Sequence, residues 1–222
     1  IHMSYILNIE TSTTNCSVSL SHENNLIDCQ EIDSPNYSHS ENLHVFIDDL
    51  MKRNKLKFNQ LKACAISRGP GSYTGLRIGL SAAKGICFGL DIPLISISSL
   101  KVIANAAEFD GLIVSTMDAR RDEVYSCIFD NKLNVIYDEK PEVINNNSYS
   151  DLALENKLLI VGDGQIKCKK LIDNNENITY NPEILKPSSK YMYSIANEKL
   201  KQDEFENLAY FEPKYLKEFR TN

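Results

Sequence analysis

The stretch best equipped for chemistry is Ser67-Arg68-Gly69-Pro70-Gly71-Ser72-Tyr73-Thr74-Gly75-Leu76-Arg77. It follows the apolar run 63–66, which reads as a buried strand, and precedes the apolar segment 76–90, which reads as a helix. A strand, a glycine-rich turn and a helix start bring free backbone N–H groups and the positive end of the helix dipole together, the makings of an anion site. The pattern is not G-x-x-x-x-G-K-[ST], because no Lys-Ser or Lys-Thr pair follows the last glycine. Nor is it G-x-G-x-x-G, because Gly71 and Gly75 are one residue too far apart. The plainer reading is a tight connection in which Gly69, Gly71 and Gly75 supply positive φ or close backbone approach. Ser72 then caps the helix that follows.

Other chemistries find less support. His39 and His44 stand five residues apart at the start of a helix. At about 100° per residue they point roughly 140° away from one another, so one ion cannot easily take both, and both read as solvent-exposed. His22 sits in a turn with no partner in view, and no G-x-S-x-G marks a nucleophile. The six cysteines form no C-x-x-C pair, which argues against zinc. All but Cys168 lie in apolar runs, where cysteine behaves as a small hydrophobe, and free thiols in a reducing compartment are expected. The net charge of −6 opposes unaided binding to an RNA backbone.

The elements that must position these residues repeat. An apolar run at 5–9 ends at Glu10; a polar turn follows, and then Cys16, Val18 and Leu20 alternate with serines as in a half-buried strand. A third strand is expected at 26–32 and a helix at about 40–54, striped by Leu43, Phe46, Ile47, Leu50 and Met51. The strand before the glycine turn, the long helix, a strand at 93–97 and a helix capped by Ser98 or Ser99 and running to about Ala107 complete the first round. The second round has a run at 112–117 ending at Asp118, a polar turn at 119–122, and strands at 124–129 and 133–137. It continues with a helix at 150–155, a strand at 158–161, the turn Gly162-Asp163-Gly164 and a helix at about 189–201. Asn145-Asn146-Asn147 and the segment 174–177 read as loops. Two βββαβα rounds predict a duplicated α/β fold with mixed sheets, divided into lobes at 4–108 and 109–222, the second degenerate. Ile1-His2-Met3 reads as a cloning remnant with Met3 the natural start; no apolar leader and no membrane span are expected.

Gly-Pro-Gly-Ser-Tyr-Thr-Gly-Leu-Arg-Ile-Gly at 69–79 closely resembles the signature of the TsaB (YeaZ) family, which helps make the threonylcarbamoyladenosine modification of tRNA. The tail Glu212-Pro213-Lys214-Tyr215-Leu216 resembles that family's C-terminal pattern, so the likeness spans nearly the whole chain. The order of elements is similar to the actin-like ATPase (ASKHA) superfamily. In actin-like kinases, carboxylates at the ends of the two first strands position magnesium and the attacking group, and adjacent glycines let the backbone hold phosphates. Glu10 and Asp118 match those positions, but Glu10-Thr11-Ser12-Thr13 and Asp118-Ala119-Arg120-Arg121 lack the glycine. They are therefore expected to be remnants of a nucleotide site, and no cofactor is expected on this chain alone, with ATP or ADP reserved for a partner interface.

The resemblance implies a non-catalytic scaffold subunit, cytoplasmic, that pairs with a TsaD-like catalytic subunit and a TsaE-like ATPase. It reaches tRNA through that complex, and its first two helices pair either with a second copy of the chain or with the TsaD-like subunit. The helix at 76–90 agrees. Its apolar and glycine positions fill an arc of roughly 220°, against the ~100° stripe that one core face needs. Gly75, Gly79, Ala82 and Gly89 line a ridge that permits close approach of another helix. Leu43, Ile47, Gly79, Ala82, Ala83 and Ile86 are the positions expected at that partner surface. The alternatives are a stand-alone ATP-dependent small-molecule kinase of the same fold and, less well supported by the histidine spacing, a metallopeptidase.

Overall fold

The computed structural model describes residues 4–35 and 38–217; Ile1-His2-Met3 lies outside them. The described residues form two compact units. One runs to Val102 and takes in Ser188–Lys214; the other is Ile103–Pro187 with the residues from Tyr215.

The first unit is built on a five-stranded sheet of β1 (Tyr5–Glu10), β2 (Asn15–His22), β3 (Asn25–Asp33), β4 (Leu61–Ser67) and β5 (Leu94–Ile97). Its order is β3-β2-β1-β4-β5. The β1–β2 and β2–β3 pairs are antiparallel, and β1–β4 and β4–β5 are parallel. Successive side chains of a strand point to opposite faces, so Leu7 and Ile9 leave one face of β1 and Ile6 the other. The first face, with Cys16, Val18 and Leu20, packs against Leu43, Ile47 and Leu50 of α1 (His39–Arg53) and Leu80 and Ala83 of α2 (Tyr73–Leu90). On the opposite face Ile6, Ala63, Ala65, Ile95 and Ile97 pack with Met192, Ile195 and Ala196.

That second layer corrects two expectations. The serines of β2 do not face solvent: Ser17, Ser19 and Ser21 are buried. Ser19 Oγ donates to the Ser189 carbonyl at 2.8 Å, and the Ser189 N–H donates to Ser17 Oγ at 2.8 Å. The C-terminal helix, expected in the second lobe, belongs to the first unit.

The second unit repeats the sheet with β6 (Leu112–Asp118), β7 (Glu123–Phe129), β8 (Val135–Val143), β9 (Leu158–Val161) and β10 (Ile178–Tyr180) in the order β10-β9-β6-β7-β8. Read from the other edge, this is the first sheet's order. The division expected at 108/109 lies instead within α3 (Ser99–Ala104), which ends three residues before Ala107. Its first turn is capped as expected, the Lys101 N–H donating to Ser98 Oγ at 3.3 Å. Strand β8 starts at Val135 and continues to Val143, well past Tyr137. Helix α4 (Ser150–Glu155) stands where the sequence placed it, whereas α5 (Gln165–Leu171) and β10 were not expected. The last helix, α6, is Tyr193–Lys201. The second sheet keeps all five strands, and what is reduced is its helices: α4 and α5 have 6 and 7 residues, against 15 and 18 for α1 and α2.

Candidate functional site

The glycine turn is packed, not open. Gly69 has φ 99°, a left-handed conformation, and a Cβ there would lie 2.8 Å from the Lys214 carbonyl oxygen. Gly69-Pro70 is a cis peptide. A Cβ on Gly71 would lie 2.3 Å from the Ser12 carbonyl oxygen, one on Gly75 2.2 Å from that of Thr11, and one on Gly79 2.3 Å from Thr11 Oγ1. The glycine row therefore lets the β1–β2 turn lie directly on the start of α2. Hydrogen bonds fasten it there: the Ser72 N–H donates to the Ser12 carbonyl at 2.6 Å, and Thr11 Oγ1 donates to the Gly75 carbonyl at 2.8 Å. The Gly75 N–H donates to Ser72 Oγ at 3.2 Å, the cap expected of Ser72. The N–H groups of Ser72 and Gly75, which an anion would use, are taken by the chain itself. The tail closes the other side of the loop, the Lys214 N–H donating to the Arg68 carbonyl at 2.7 Å.

Glu10 is sealed beside this turn, with no exposed surface. Its Oε1 accepts the Ser12 N–H at 2.6 Å, and burial pushes its carboxyl up. His39, expected to be exposed, is 1% exposed; its Nε2 donates to the Thr13 carbonyl at 2.7 Å, which makes the imidazole a strut of the same turn. Burial lowers its pKa. His44, by contrast, is exposed.

Asp118, the counterpart of Glu10 in the second unit, is exposed. Its Oδ1 accepts the Arg120 N–H at 2.6 Å and lies 3.3 Å from Lys167 Nζ. Its own N–H donates to Asp163 Oδ1 at 2.8 Å. Burial pushes the Asp163 carboxyl up. The turn Gly162-Asp163-Gly164 repeats the close-packing device: Gly162 has φ 90°, and a Cβ there would fall 1.8 Å from the Thr116 carbonyl oxygen.

An open groove of about 640 Å³ lies between α1 and α2 in the first unit, lined by Ser40 and His44 on one side and Arg77, Ser81, Ala82 and Ile86 on the other. The Arg77 guanidinium lies over the Tyr73 ring, 4.1 Å from its centre. Two residues beyond Ile86, at the end of the groove, Phe88 is 84% exposed. The wide apolar arc thus serves two faces: Leu76, Gly79, Leu80, Ala83 and Cys87 are buried, while Ser81, Gly85 and Phe88 point outward. This corrects the expected partner surface. Leu43, Ile47, Gly79 and Ala83 are buried in the first unit's own core, and of the six positions only Ala82 and Ile86 line the groove. Sequence reasoning missed Phe88, whose isolation among Gly85, Gly89 and Lys84 was the available signal.

The six cysteines are free, and Cys168 is as buried as Cys16 or Cys64. Among the described residues no group of three or more His, Cys, Asp or Glu could hold a metal ion, and no helix is long and apolar enough to cross a membrane.

Comparison with known proteins fits this architecture. The family model described as "TsaD: tRNA N6-adenosine threonylcarbamoyltransferase" matches residues 35–221. The tRNA threonylcarbamoyladenosine biosynthesis protein TsaB of Haemophilus influenzae is 31% identical over 229 residues, with 96% of this chain and 93% of that protein covered. The Escherichia coli protein of the same name is 28% identical, covering 96% and 94%. The structure of YeaZ from Pseudomonas aeruginosa, 25% identical, superposes with a TM-score of 0.83 over 96% of this chain and all of that one. The two like-ordered mixed sheets are accordingly those of the duplicated actin-like fold, and the chain belongs to the TsaB (YeaZ) family, within the wider family that the TsaD model describes.

Proposed function

We propose that this chain acts in tRNA threonylcarbamoyladenosine biosynthesis as a non-catalytic scaffold subunit that docks a TsaD-like catalytic subunit through the outward face of α2 and its groove with α1. The relatives' shared name supports the pathway. The observation that carries the scaffold role is the pairing of a filled loop with an uncovered helix face. The Ser72 and Gly75 N–H groups are spent on Ser12 and on Ser72's own hydroxyl, and Glu10 is sealed, so the turn that matches a kinase's phosphate-binding turn is covered by the chain's own α2 start. Phe88, meanwhile, is 84% exposed beside the groove. An exposed aromatic next to an apolar recess is the kind of anchor on which binding energy concentrates. The same face serves a homodimer when the catalytic subunit is absent. A TsaE-like ATPase joins the assembly, any ATP or ADP binds at a partner interface, tRNA is reached through the complex, and the site of action is the cytoplasm. The kinase alternative is the weaker reading because of the sealed Glu10.

Two variants test the docking. Phe88→Glu and Ser81→Arg place a charge on the outer face without touching the core, so thermal unfolding should be unchanged while affinity for the TsaD-like subunit falls at least tenfold, about 1.4 kcal/mol. Variants that fold normally, still sediment with that subunit and still restore tRNA threonylcarbamoylation in depleted cells would remove the scaffold from this helix. Steady-state ATP turnover by the purified chain, abolished by Asp118→Asn, would restore the kinase reading.

A further inference from the structure

The hairpin between β6 and β7 turns through Ala119-Arg120-Arg121-Asp122. Arg120 and Arg121 both have positive φ, 67° and 50°. In that region Cβ crowds the following carbonyl, and glycine, asparagine or aspartate are the residues that tolerate it. Two consecutive arginines are therefore not what the turn itself prefers. Nor do they serve the fold by contact. Both are exposed. Beyond an electrostatic influence of Arg120 on Tyr125, neither guanidinium makes a hydrogen bond or ion pair among the described residues.

The surrounding cations are committed. Lys167 Nζ donates to Asp118 Oδ1 at 3.3 Å and to the Glu123 carbonyl at 2.6 Å. Lys217 Nζ pairs with Glu123 and donates to the Ala119 carbonyl at 3.2 Å. With Asp118 and Glu123 paired to lysines, the exposed residues 120–122 hold two arginines against Asp122, a local positive point in a chain of net charge −6. Its backbone is pinned: the Arg120 N–H donates to Asp118 Oδ1 at 2.6 Å, and the Asp122 carbonyl accepts the Ile144 N–H at 2.8 Å. The guanidinium groups thus project from a fixed base.

We propose that this tip is a contact for the phosphodiester backbone of tRNA, with Arg120 and Arg121 each engaging a phosphate; the identity of the RNA rests on the pathway assigned above. The planar guanidinium fork matches two phosphate oxygens. A docked protein face needs an apolar centre, and residues 118–122 expose no large apolar side chain. A phosphate contact needs none and fixes position without reading bases.

The double variant Arg120→Asn, Arg121→Asn removes both charges and substitutes a residue that tolerates the left-handed region. Full-length protein, with the proteins that co-purify with it, is titrated with an unmodified tRNA transcript between about 50 and 200 mM salt. The variant should bind several-fold more weakly, and its plot of log affinity against log salt should flatten by about 1.4–1.8, roughly 0.7–0.9 for each phosphate that is no longer engaged. Its thermal midpoint should be unchanged or higher. Unaltered affinity and slope overturn the proposal. A lowered midpoint also overturns it, because the arginines then serve the fold. Disappearance of a co-purifying protein with unchanged transcript affinity overturns it too, assigning the tip to a protein partner. Displacement of the transcript by equimolar ATP overturns it in favour of a mononucleotide. Phe88→Glu, run in parallel, separates the two ideas: it bears on assembly, whereas the change in salt slope depends on the arginines.

Discussion

His39 shows how much one side chain can fix. It stands four residues before Leu43, on the same stripe as Ile47 and Leu50, so its inward direction was legible in the spacing. Weighing it only against His44, as a metal pair to be rejected and then as a solvent-exposed residue, hid that signal. Buried, it donates from Nε2 to the Thr13 carbonyl, so the neutral ring suffices and protonation would place a charge in the core. Its folded pKa lies below the ordinary 6.5, with burial the largest cause. A lowered pKa means that its stabilising contribution is complete above about 6.5 and is lost as pH falls through the folded value. Urea unfolding from pH 7.5 down to 5 should show stability declining, and His39→Asn should remove part of that slope. An identical slope in the variant would show that other groups carry the acid sensitivity. Glu10 has the opposite sign: its raised pKa favours the protonated form in the fold, a contribution that weakens as pH rises through the folded value.

At the scale of elements, α2 was legible in kind but not in orientation. Its end at Leu90, its cap at Ser72 and its two apolar faces follow from composition and period, whereas its first turn starts at Tyr73, three residues before the expected 76. Which glycines face inward does not, because a helical wheel has no record of what approaches it. Gly75 and Gly79 are small because Thr11 crosses them, not because a partner does. Ser72 is decisive at this scale, since its hydroxyl accepts the Gly75 N–H and its own N–H ties the helix to the β1–β2 turn. Ser72→Ala removes only the hydroxyl and should cost about 1 kcal/mol in urea unfolding, with the helix still formed by circular dichroism. A cost near zero would mean that the backbone bond to Ser12 alone sets the helix start. The missed elements have physical reasons too. In α5, Ile166, Cys168 and Leu171 are interleaved with Lys167, Lys169 and Lys170, too short and too charged for a stripe. Strand β10 has three residues and follows a run of asparagines that reads as loop; it is specified by its parallel pairing with β9.

At the scale of the whole molecule, the duplication was legible because each round opens with an acid at a strand end and an alternating strand. The return of the chain was not. Residues 188–214 follow the second round in sequence yet complete the first unit, and the stripe of α6 does not say which sheet it covers. The serines of β2 carried a hint: three small polar side chains on one face suit a layer that hydrogen-bonds to them, as Ser189 does. The core on that face depends on the returning segment, for Met192 is fully buried with Ile6, Ala65 and Ile97. Met192→Ala should leave a cavity there and cost about 2–5 kcal/mol. Because a unit's strands share its core, the loss should appear as faster hydrogen exchange in peptides spanning β1, β4 and β5, and much less in those spanning β6, β7 and β9. Deprotection confined to residues 112–161 would contradict the assignment of α6 to the first unit. Deprotection of the first sheet would show that the last helix in the sequence holds the first strand in place.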